Sequence, residues 1–83
     1  MNRSGEILEN REVIMLDIVE IGRKIRDKRK EIGMTQGDLA KMLFISEQSV
    51  SKWERGVSVP EISNLKKISH ILGVSVDYLI DNE

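Results

Sequence analysis

The chain has 83 residues, no cysteine, one histidine and a formal net charge of −1. A domain of this size buries only about 60% of the surface that its unfolded chain exposes, so we expect modest stability. The composition excludes a disulfide framework and a thiolate or histidine-cluster metal site, so no cofactor is expected, and the lack of a membrane-length apolar run or signal-peptide pattern favours a cytoplasmic protein.

The N-terminal 20 residues are interpreted as an extension, and residues 1–10 are predicted to be disordered. Ile14, Ile18 and Ile21 follow helical spacing, so the first helix could extend backward into this segment. The apolar block VIMLDIV at residues 13–19 is equally consistent with a strand, because it is rich in β-branched residues. Both interpretations stay open at the level of the sequence.

From Ile21 onward the pattern predicts helices with clear ends. Ile25 and Ile32 share the apolar face of the first helix with Ile21, and Gly33 supplies its stop. Residues 35–38 have the pattern of a capping box, in which the threonine hydroxyl and the aspartate carboxylate each accept from the other's backbone N–H. The second helix carries a short apolar stripe: Leu39, Ala40 and Leu43.

A third helix is predicted between Ser46, a good N-cap, and Gly56. It has only two large inward-facing apolar side chains, Val50 and Trp53, and its other face is polar. Pro60 suits the first turn of a fourth helix. The inner face of that helix is predicted to carry five apolar residues: Ile62, Leu65, Ile68, Ile71 and Leu72.

Gly73 closes the fourth helix, and Ser75 is expected to cap a short fifth helix that carries Tyr78 and Leu79. Helices of this length are unstable in isolation, so they must share one core. Trp53 is assigned to that core, because three aromatic residues in the whole chain do not make a base-stacking surface. The predicted fold class is all-α, with five helices.

Positive charge is concentrated in the middle of the chain. Residues 1–20 carry two basic and five acidic side chains (net −3), residues 23–55 carry nine and five (net +4), and residues 56–83 carry two and four (net −2). A solvated helical face is the commoner meaning of such a cluster. A local basic excess is nevertheless the electrostatic signal of a nucleic-acid-binding surface.

Two short helices joined by a short turn are typical of a helix-turn-helix. The run TQGDLAKMLFISEQSVSKWERG, followed by SVPEISNLKKISHILGVSVDYLI, resembles the Cro and phage-repressor type of helix-turn-helix domain. The resemblance covers about residues 21–80. It implies a five-helix DNA-binding domain over residues 21–83, with the motif at about 36–55 and residues 1–20 as the extension.

The resemblance also implies residue roles. The side chains expected to face base edges are Glu47, Gln48, Ser51 and Lys52. Those expected to approach phosphates are Gln36, Arg55 and Ser58. Arg29 and Glu54 match a charge pair that ties the first helix to the recognition helix. The chemistry of the readers agrees, because Gln48 can pair with adenine N6 and N7, and Lys52 can donate to guanine O6 or N7.

Three positions depart from the simple pattern. Phe44 stands where this family commonly has glycine, so we expect either a different turn or a strained Phe44 packed against the core. Glu47 would be repelled by phosphates, although it could accept from cytosine N4 or cap its own helix. Gly37 lies inside a predicted helix at a cost of up to about 1 kcal/mol, and no role is assigned to it.

The preferred function is a sequence-specific, double-stranded DNA-binding transcriptional regulator, a repressor, that acts as a homodimer on an inverted-repeat operator. The alternative is an antitoxin-like DNA-binding protein whose main partner is another protein, held through residues 1–20. No nucleophile–base pair or phosphate loop favours an enzyme. The candidate dimer surfaces are the VIMLDIV block and the last helix near Tyr78 and Ile80, and any sensing is expected to need a partner or the extension.

Overall fold

The computed structural model describes residues 10–81, with side chains from residue 17 onward. Five helices follow one another along the chain: α1 (Asn10–Glu31), α2 (Gln36–Leu43), α3 (Glu47–Glu54), α4 (Ile62–Leu72) and α5 (Val76–Ile80). No strand occurs within residues 10–81. The all-α prediction is therefore confirmed, with α1 packed against α3, α4 and α5. No helix in this described part is long and apolar enough to cross a membrane.

The helix α1 decides between the two interpretations of the VIMLDIV block. Residues 13–19 are helical, and α1 runs without a break across the boundary placed between residues 20 and 21. Disorder was predicted for residues 1–10. Of these, residues 1–9 lie outside the described residues, and Asn10 is the first residue of α1.

One hydrophobic core joins all five helices. Its buried members are Ile21, Ile25, Leu39, Ala40, Leu43, Val50, Trp53, Leu65, Ile68, Leu72 and Leu79. Two side chains predicted on inner faces lie outside it: Ile32 is 50% exposed and Ile62 is 59% exposed. Ile32 leaves the helical face because α1 ends at Glu31 and the chain turns at Gly33, where φ is 76°. Ile62 is the first residue of α4, at the end of the core.

Pro60 also lies elsewhere than predicted. It is buried two residues before α4 begins, and Glu61 takes the N-cap position without a side-chain cap hydrogen bond. The other caps follow the sequence more closely. The capping box of α2 is present, with 3.0 Å between the Asp38 backbone N and Thr35 Oγ1 and 3.0 Å between the Thr35 backbone N and Asp38 Oδ2.

Lys24 ties the end of α5 to α1. It is only 4% exposed, and its ammonium donates to the backbone carbonyls of Tyr78 and Asp81 while lying 4.9 Å from the centre of the Tyr78 ring. A cation at the last carbonyls of a helix satisfies groups that have no partner within the helix. The shortest helix of the bundle is thus fastened by a lysine that the sequence pattern did not single out.

The backbones of α1 and α3 approach each other at Gly22. A Cβ atom placed on Gly22 would lie 2.0 Å from the carbonyl oxygen of Trp53 and 3.2 Å from Cα of Glu54. Any side chain at this position would therefore force the two helices apart. Gly22 sets how closely α3 can lie on α1.

We expect Gly22→Ala to lower the free energy of unfolding by about 1–3 kcal/mol, the usual cost of overpacking, because backbone atoms cannot move aside as a flexible side chain can. The measurement is equilibrium denaturation by urea. Gly37→Ala is the matched control. A Cβ on Gly37 meets its nearest neighbour, Glu47 Oε1, at an ordinary 3.5 Å. It should stabilise the protein by roughly 0.5–1 kcal/mol through helix propensity. Equal effects of the two substitutions would contradict the close approach at Gly22.

Candidate nucleic-acid interface

The helix α3 is short and is held at both ends by local hydrogen bonds. Ser46 is its N-cap, with 3.2 Å between the donating Ser49 backbone N and Ser46 Oγ, as the sequence predicted. The chain leaves the helix through Gly56, where φ is 73°. A serine cap and a left-handed glycine are the usual signals for beginning and ending a helix. They leave eight residues, Glu47–Glu54, to carry both a core face and an outer face.

The two faces of α3 differ in chemistry. The inner face buries Val50 and Trp53 in the core, and it also buries the charged residue Glu54, which is 8% exposed. The residues predicted to read bases or contact phosphates from this helix lie on its outer side: Glu47, Gln48, Lys52 and Arg55 are exposed, and Ser51 is half-buried. The helix thus presents a polar surface to the solvent along its whole length.

Within the outer face, Gln48 and Lys52 are four residues apart and therefore lie on one side of the helix, one turn from each other. Ser51 accepts a hydrogen bond from Arg55, with 3.1 Å between Oγ and Nε. Glu47 lies apart from these residues. Its carboxylate sits beside Gly37 in the first turn of α2, with Oε1 3.5 Å from the place where a Cβ of Gly37 would be. A Cβ at position 37 would therefore fit beside this carboxylate at an ordinary contact distance.

The two remaining predicted phosphate contacts lie at the margins of the face. Gln36 is the first residue of α2 and is half-buried. Ser58 is half-buried in the loop after α3, and its backbone N–H donates to the carbonyl oxygen of Lys52 at 3.4 Å. All seven residues predicted to contact DNA therefore lie on α3 or next to it, at the start of α2 and in the following loop.

Arg29 and Glu54 join α1 to α3 in a buried, two-point contact. The distances are 2.6 Å from Arg29 Nε to Glu54 Oε2 and 2.8 Å from Arg29 Nη2 to Glu54 Oε1. Arg29 also donates through Nη1 to the carbonyl oxygen of Met34, at 2.7 Å. The Glu54 carboxylate accepts a further hydrogen bond from Gln36, with 3.0 Å between Nε2 and Oε1. We call these four residues the Glu54 cluster.

The Glu54 cluster connects the three elements on which the outer face depends. Arg29 and Glu54 are 6% and 8% exposed, so their charges are largely shielded from solvent. The hydrogen bond with Glu54 raises the pKa of Arg29, and the guanidinium stays charged. Two-point arginine–carboxylate pairs add directional preference to electrostatic attraction. The bond from Gln36 and the bond to Met34 were not foreseen, since no sequence signal places an amide or a carbonyl beside a buried pair.

The basic excess of residues 23–55 separates into two groups in the structure. Four cations of α1 have carboxylate partners at 4.0 Å or less: Arg23, Arg26, Lys28 and Arg29. The cations of α2 and α3 do not. Within residues 17–81, neither Lys41, Lys52 nor Arg55 is in a salt bridge. On α1, Lys24 donates to backbone carbonyls and the exposed Lys30 is in no salt bridge within the described residues, so positive charge without a carboxylate partner lies on the motif and also at the end of α1.

The pattern of helices, caps and buried residues matches a known family. The family model described as Helix-turn-helix matches residues 25–79. The chain belongs to the Cro and phage-repressor type of this helix-turn-helix family. Residues 36–54, from the start of α2 to the end of α3, form the motif of a family member, with Phe44 in its turn.

Known regulators resemble this helix-turn-helix chain in sequence and in structure. It is 47% identical over 60 residues to the transcriptional regulator DicA of Escherichia coli (strain K12), a match that covers 72% of this chain and 44% of DicA. The crystal structure of the P22 c2 repressor with a synthetic operator has a TM-score of 0.72 and 36% identity, covering 76% of this chain and 96% of that one. SinR in complex with DNA gives a TM-score of 0.68 and 37% identity, covering 74% and 98%.

The match is to one part of the curated relatives. This chain spans 32%, 44% and 29% of the full length of BcrR of Enterococcus faecalis, DicA and the C2 repressor of Salmonella phage P22. What the similarity covers is the helix-turn-helix module.

We expect Arg29→Ala and Glu54→Ala each to lower the free energy of unfolding by more than the roughly 1 kcal/mol that an exposed pair contributes, because each leaves a buried charge without its partner. The double variant should lose less than the sum of the two. The measurement is urea denaturation of the parent, both single variants and the double variant.

The exposed pair of Arg23 and Glu20 on α1 provides the control for that cycle, since both side chains are well exposed and 2.8 Å apart. Its cycle should show little or no coupling. Additive losses at Arg29 and Glu54 would show that the two charges do not stabilise each other, and the Glu54 cluster would lose its assigned role.

Proposed function

We propose that this protein is a sequence-specific transcriptional regulator, a repressor, that reads the major groove of double-stranded DNA with the outer face of α3. The observation that carries the proposal is the outer face itself. Gln48 and Lys52 lie one turn apart on a helix whose inner side is held by the core and by the Glu54 cluster. A helix of this kind fits the major groove, where each base pair presents a distinct pattern of donors and acceptors.

Two further facts support the proposal. The cations of α2 and α3 have no carboxylate partner within 4.0 Å in the described part of the chain, so they are available to contact the phosphates of DNA. Among the relatives, the P22 c2 repressor was crystallised with an operator and SinR with DNA, over the same module that this chain shares. The proposal extends that behaviour to this protein.

The roles follow the positions of the side chains. Gln48 is assigned to an adenine, through N6 and N7, and Lys52 to a guanine, through O6 or N7. Glu47 and Ser51 complete the predicted base-reading set, but Glu47 lies beside α2 and is the weaker candidate. The remaining predicted residues are hydrogen-bond donors for phosphates, and such contacts fix the register of the protein on DNA without reading the sequence.

Gln36, Arg55 and Ser58 are assigned to phosphates. Gln36 has a second task in the structure, since its amide already donates to Glu54. One amide hydrogen remains for a phosphate, and the position at the start of α2 is favourable for an anion. A phosphate contact by Gln36 would therefore be linked directly to the Glu54 cluster.

Several expectations from the sequence stay predictions. They are the non-enzymatic character, the cytoplasmic location and a protein partner bound through residues 1–20. The antitoxin-like alternative rests on that last expectation. Residues 1–9 lie outside the described residues, so this alternative stays a prediction.

Binding sites selected from a random DNA pool provide the test. On the selected site, Gln48→Ala and Lys52→Ala should each weaken binding by about 1–3 kcal/mol and relax the preference at the base they read. Gln36→Ala and Arg55→Ala should weaken binding to all sequences alike. Only Arg55→Ala removes a charge from a residue assigned to a phosphate, so it should lower the salt dependence of log K by about one unit, whereas Gln48→Ala and Gln36→Ala should not.

Fluorescence anisotropy at several salt concentrations, on the selected duplex and on an unrelated one, measures both quantities. If Gln48→Ala and Gln36→Ala lowered affinity for every duplex equally, the assignment of Gln48 as a reader would be wrong. If the parent selected no sequence at all, the proposed function would fail.

We also propose that the protein binds DNA as a homodimer on an inverted repeat. One module typically buries only about 600–1,000 Å² on DNA, which supports little specificity against a genome. Both candidate surfaces keep apolar side chains in solvent. Val19 is 49% exposed at the end of the VIMLDIV block, where it lies against Gly56, and Ile80 is 42% exposed on α5.

Analytical ultracentrifugation of the full chain beside a chain that lacks residues 1–19 tests the dimer. Loss of the dimer on truncation is expected if the first half of α1 forms the interface. An unchanged dimer would move the interface to α5. A full-length monomer that binds a single half-site would reject the homodimer.

A further inference from the structure

The turn between α2 and α3 contains the one non-glycine residue with a positive φ among the described residues. Phe44 has φ 58° and ψ 44°, in the left-handed region. At the other helix ends where the chain turns this way, it uses Gly33, Gly56 and Gly73. In the left-handed region, the Cβ of a side chain crowds the backbone, and glycine avoids this crowding. Phe44 is therefore strained at a position where glycine would be relaxed.

Packing within the chain does not compensate for this strain. Phe44 is 92% exposed, whereas the next most exposed large apolar side chains, Val57 and Ile62, are each 59% exposed. The expectation that Phe44 packs against the core is wrong. A single exposed apolar residue is ordinary, but a strained backbone and a solvated aromatic ring are two unfavourable features at one residue. An observed backbone outlier of this kind points to a function.

The turn holds the backbone of Phe44 in a fixed conformation. The backbone N–H of Phe44 donates to the carbonyl of Lys41 at 3.2 Å, and the N–H of Ile45 donates to that of Ala40 at 3.0 Å. Ile45 packs against the core, and Ser46 then caps α3. A ring on such a turn has lost most of its backbone freedom before any partner arrives, which favours binding.

The position of the turn indicates what the ring contacts. Phe44 is two residues before the N-cap of α3, so its Cα is within about 7 Å of that of Ser46, beside the turn that carries Gln48. Lys41, three residues before Phe44, is exposed and is in no salt bridge within residues 17–81. An exposed apolar residue whose backbone N–H bonds to the carbonyl of an exposed lysine matches the edge of a DNA groove, where bases and phosphates adjoin.

We propose that Phe44 reads a thymine, by packing its ring against the C5-methyl group at the edge of the site read by Gln48 and Lys52. That methyl is the apolar group that base pairs display in the major groove, and it is recognised by apolar side chains, phenylalanine included. The inference rests on the proposed DNA-binding function. It adds a base contact from the turn to those from the helix.

The experiment uses the full chain and a duplex selected from a random pool, with each thymine in turn replaced by deoxyuridine, which removes only the methyl group. On the selected duplex without any uracil, Phe44→Gly should lower affinity roughly three- to tenfold, the effect of losing one or two buried methyl-sized contacts. One uracil substitution should weaken the parent by a similar factor and leave Phe44→Gly unaffected. The thermal midpoint of Phe44→Gly should equal or exceed that of the parent, because glycine is relaxed in this turn.

Ile32→Ala is the matched control, since Ile32 is a half-exposed apolar residue after α1. It should bind every duplex as the parent does. The inference is overturned if Phe44→Gly binds all duplexes as tightly as the parent, which would reassign the ring to a protein contact. It is also overturned if the variant loses equal affinity on thymine and uracil duplexes at every position, or if its midpoint falls and all DNA binding weakens together.

The failure of this inference can be told from failure of the proposed function. If Gln48→Ala loses sequence preference while Phe44→Gly does not, only the thymine contact is wrong. If the parent and Gln48→Ala bind all sequences alike, the DNA-reading function itself fails.

Discussion

The Glu54 carboxylate is the group on which the arrangement of the motif depends. It lies on the inner face of α3, where a charge is unfavourable unless it has partners, and it receives hydrogen bonds from α1 through Arg29 and from α2 through Gln36. These bonds have preferred directions, whereas contacts between apolar side chains do not. A helix with only two large core residues is thereby held in one orientation relative to its neighbours.

That support explains how α3 can keep a polar outer face. Burial of Val50 and Trp53 gives the helix a limited hydrophobic contribution, and Gly22 lets its backbone lie closely on α1. The outer residues add little to folding. In proteins generally, local choices that do not favour stability concentrate at functional sites. The strained Phe44 lies in the turn that leads into α3.

Much of this structure was predictable from the sequence because the signals were local. Serine and threonine caps, glycine ends and apolar spacing gave the order of the five helices and most of the core. The errors at Ile32, Ile62 and Pro60 lie at helix ends, where spacing no longer decides which residues face the core. The N-terminal boundary was ambiguous because a β-branched run suits a strand and a helix alike.

The parts of the candidate site that were missed depend on contacts between distant segments. Nothing in the sequence indicates that a carbonyl from α3 will lie against Gly22. Nothing marks Lys24 as the residue of α1 that binds the carbonyls at the end of α5. The pairing of Arg29 with Glu54 was anticipated only through the family resemblance, and the hydrogen bond from Gln36 was not. Periodicity places residues on a face, but it does not show which side chains of different helices meet.

The claim that α3 and its turn form the DNA-reading surface is tested most directly by backbone amide NMR of the full chain, titrated with a duplex selected from a random pool. The account predicts that the largest chemical-shift changes fall on residues 44–52 and at Gln36, with small changes in α5. Changes concentrated in α4 and α5, with the amides of α3 unaffected at saturation, would contradict it.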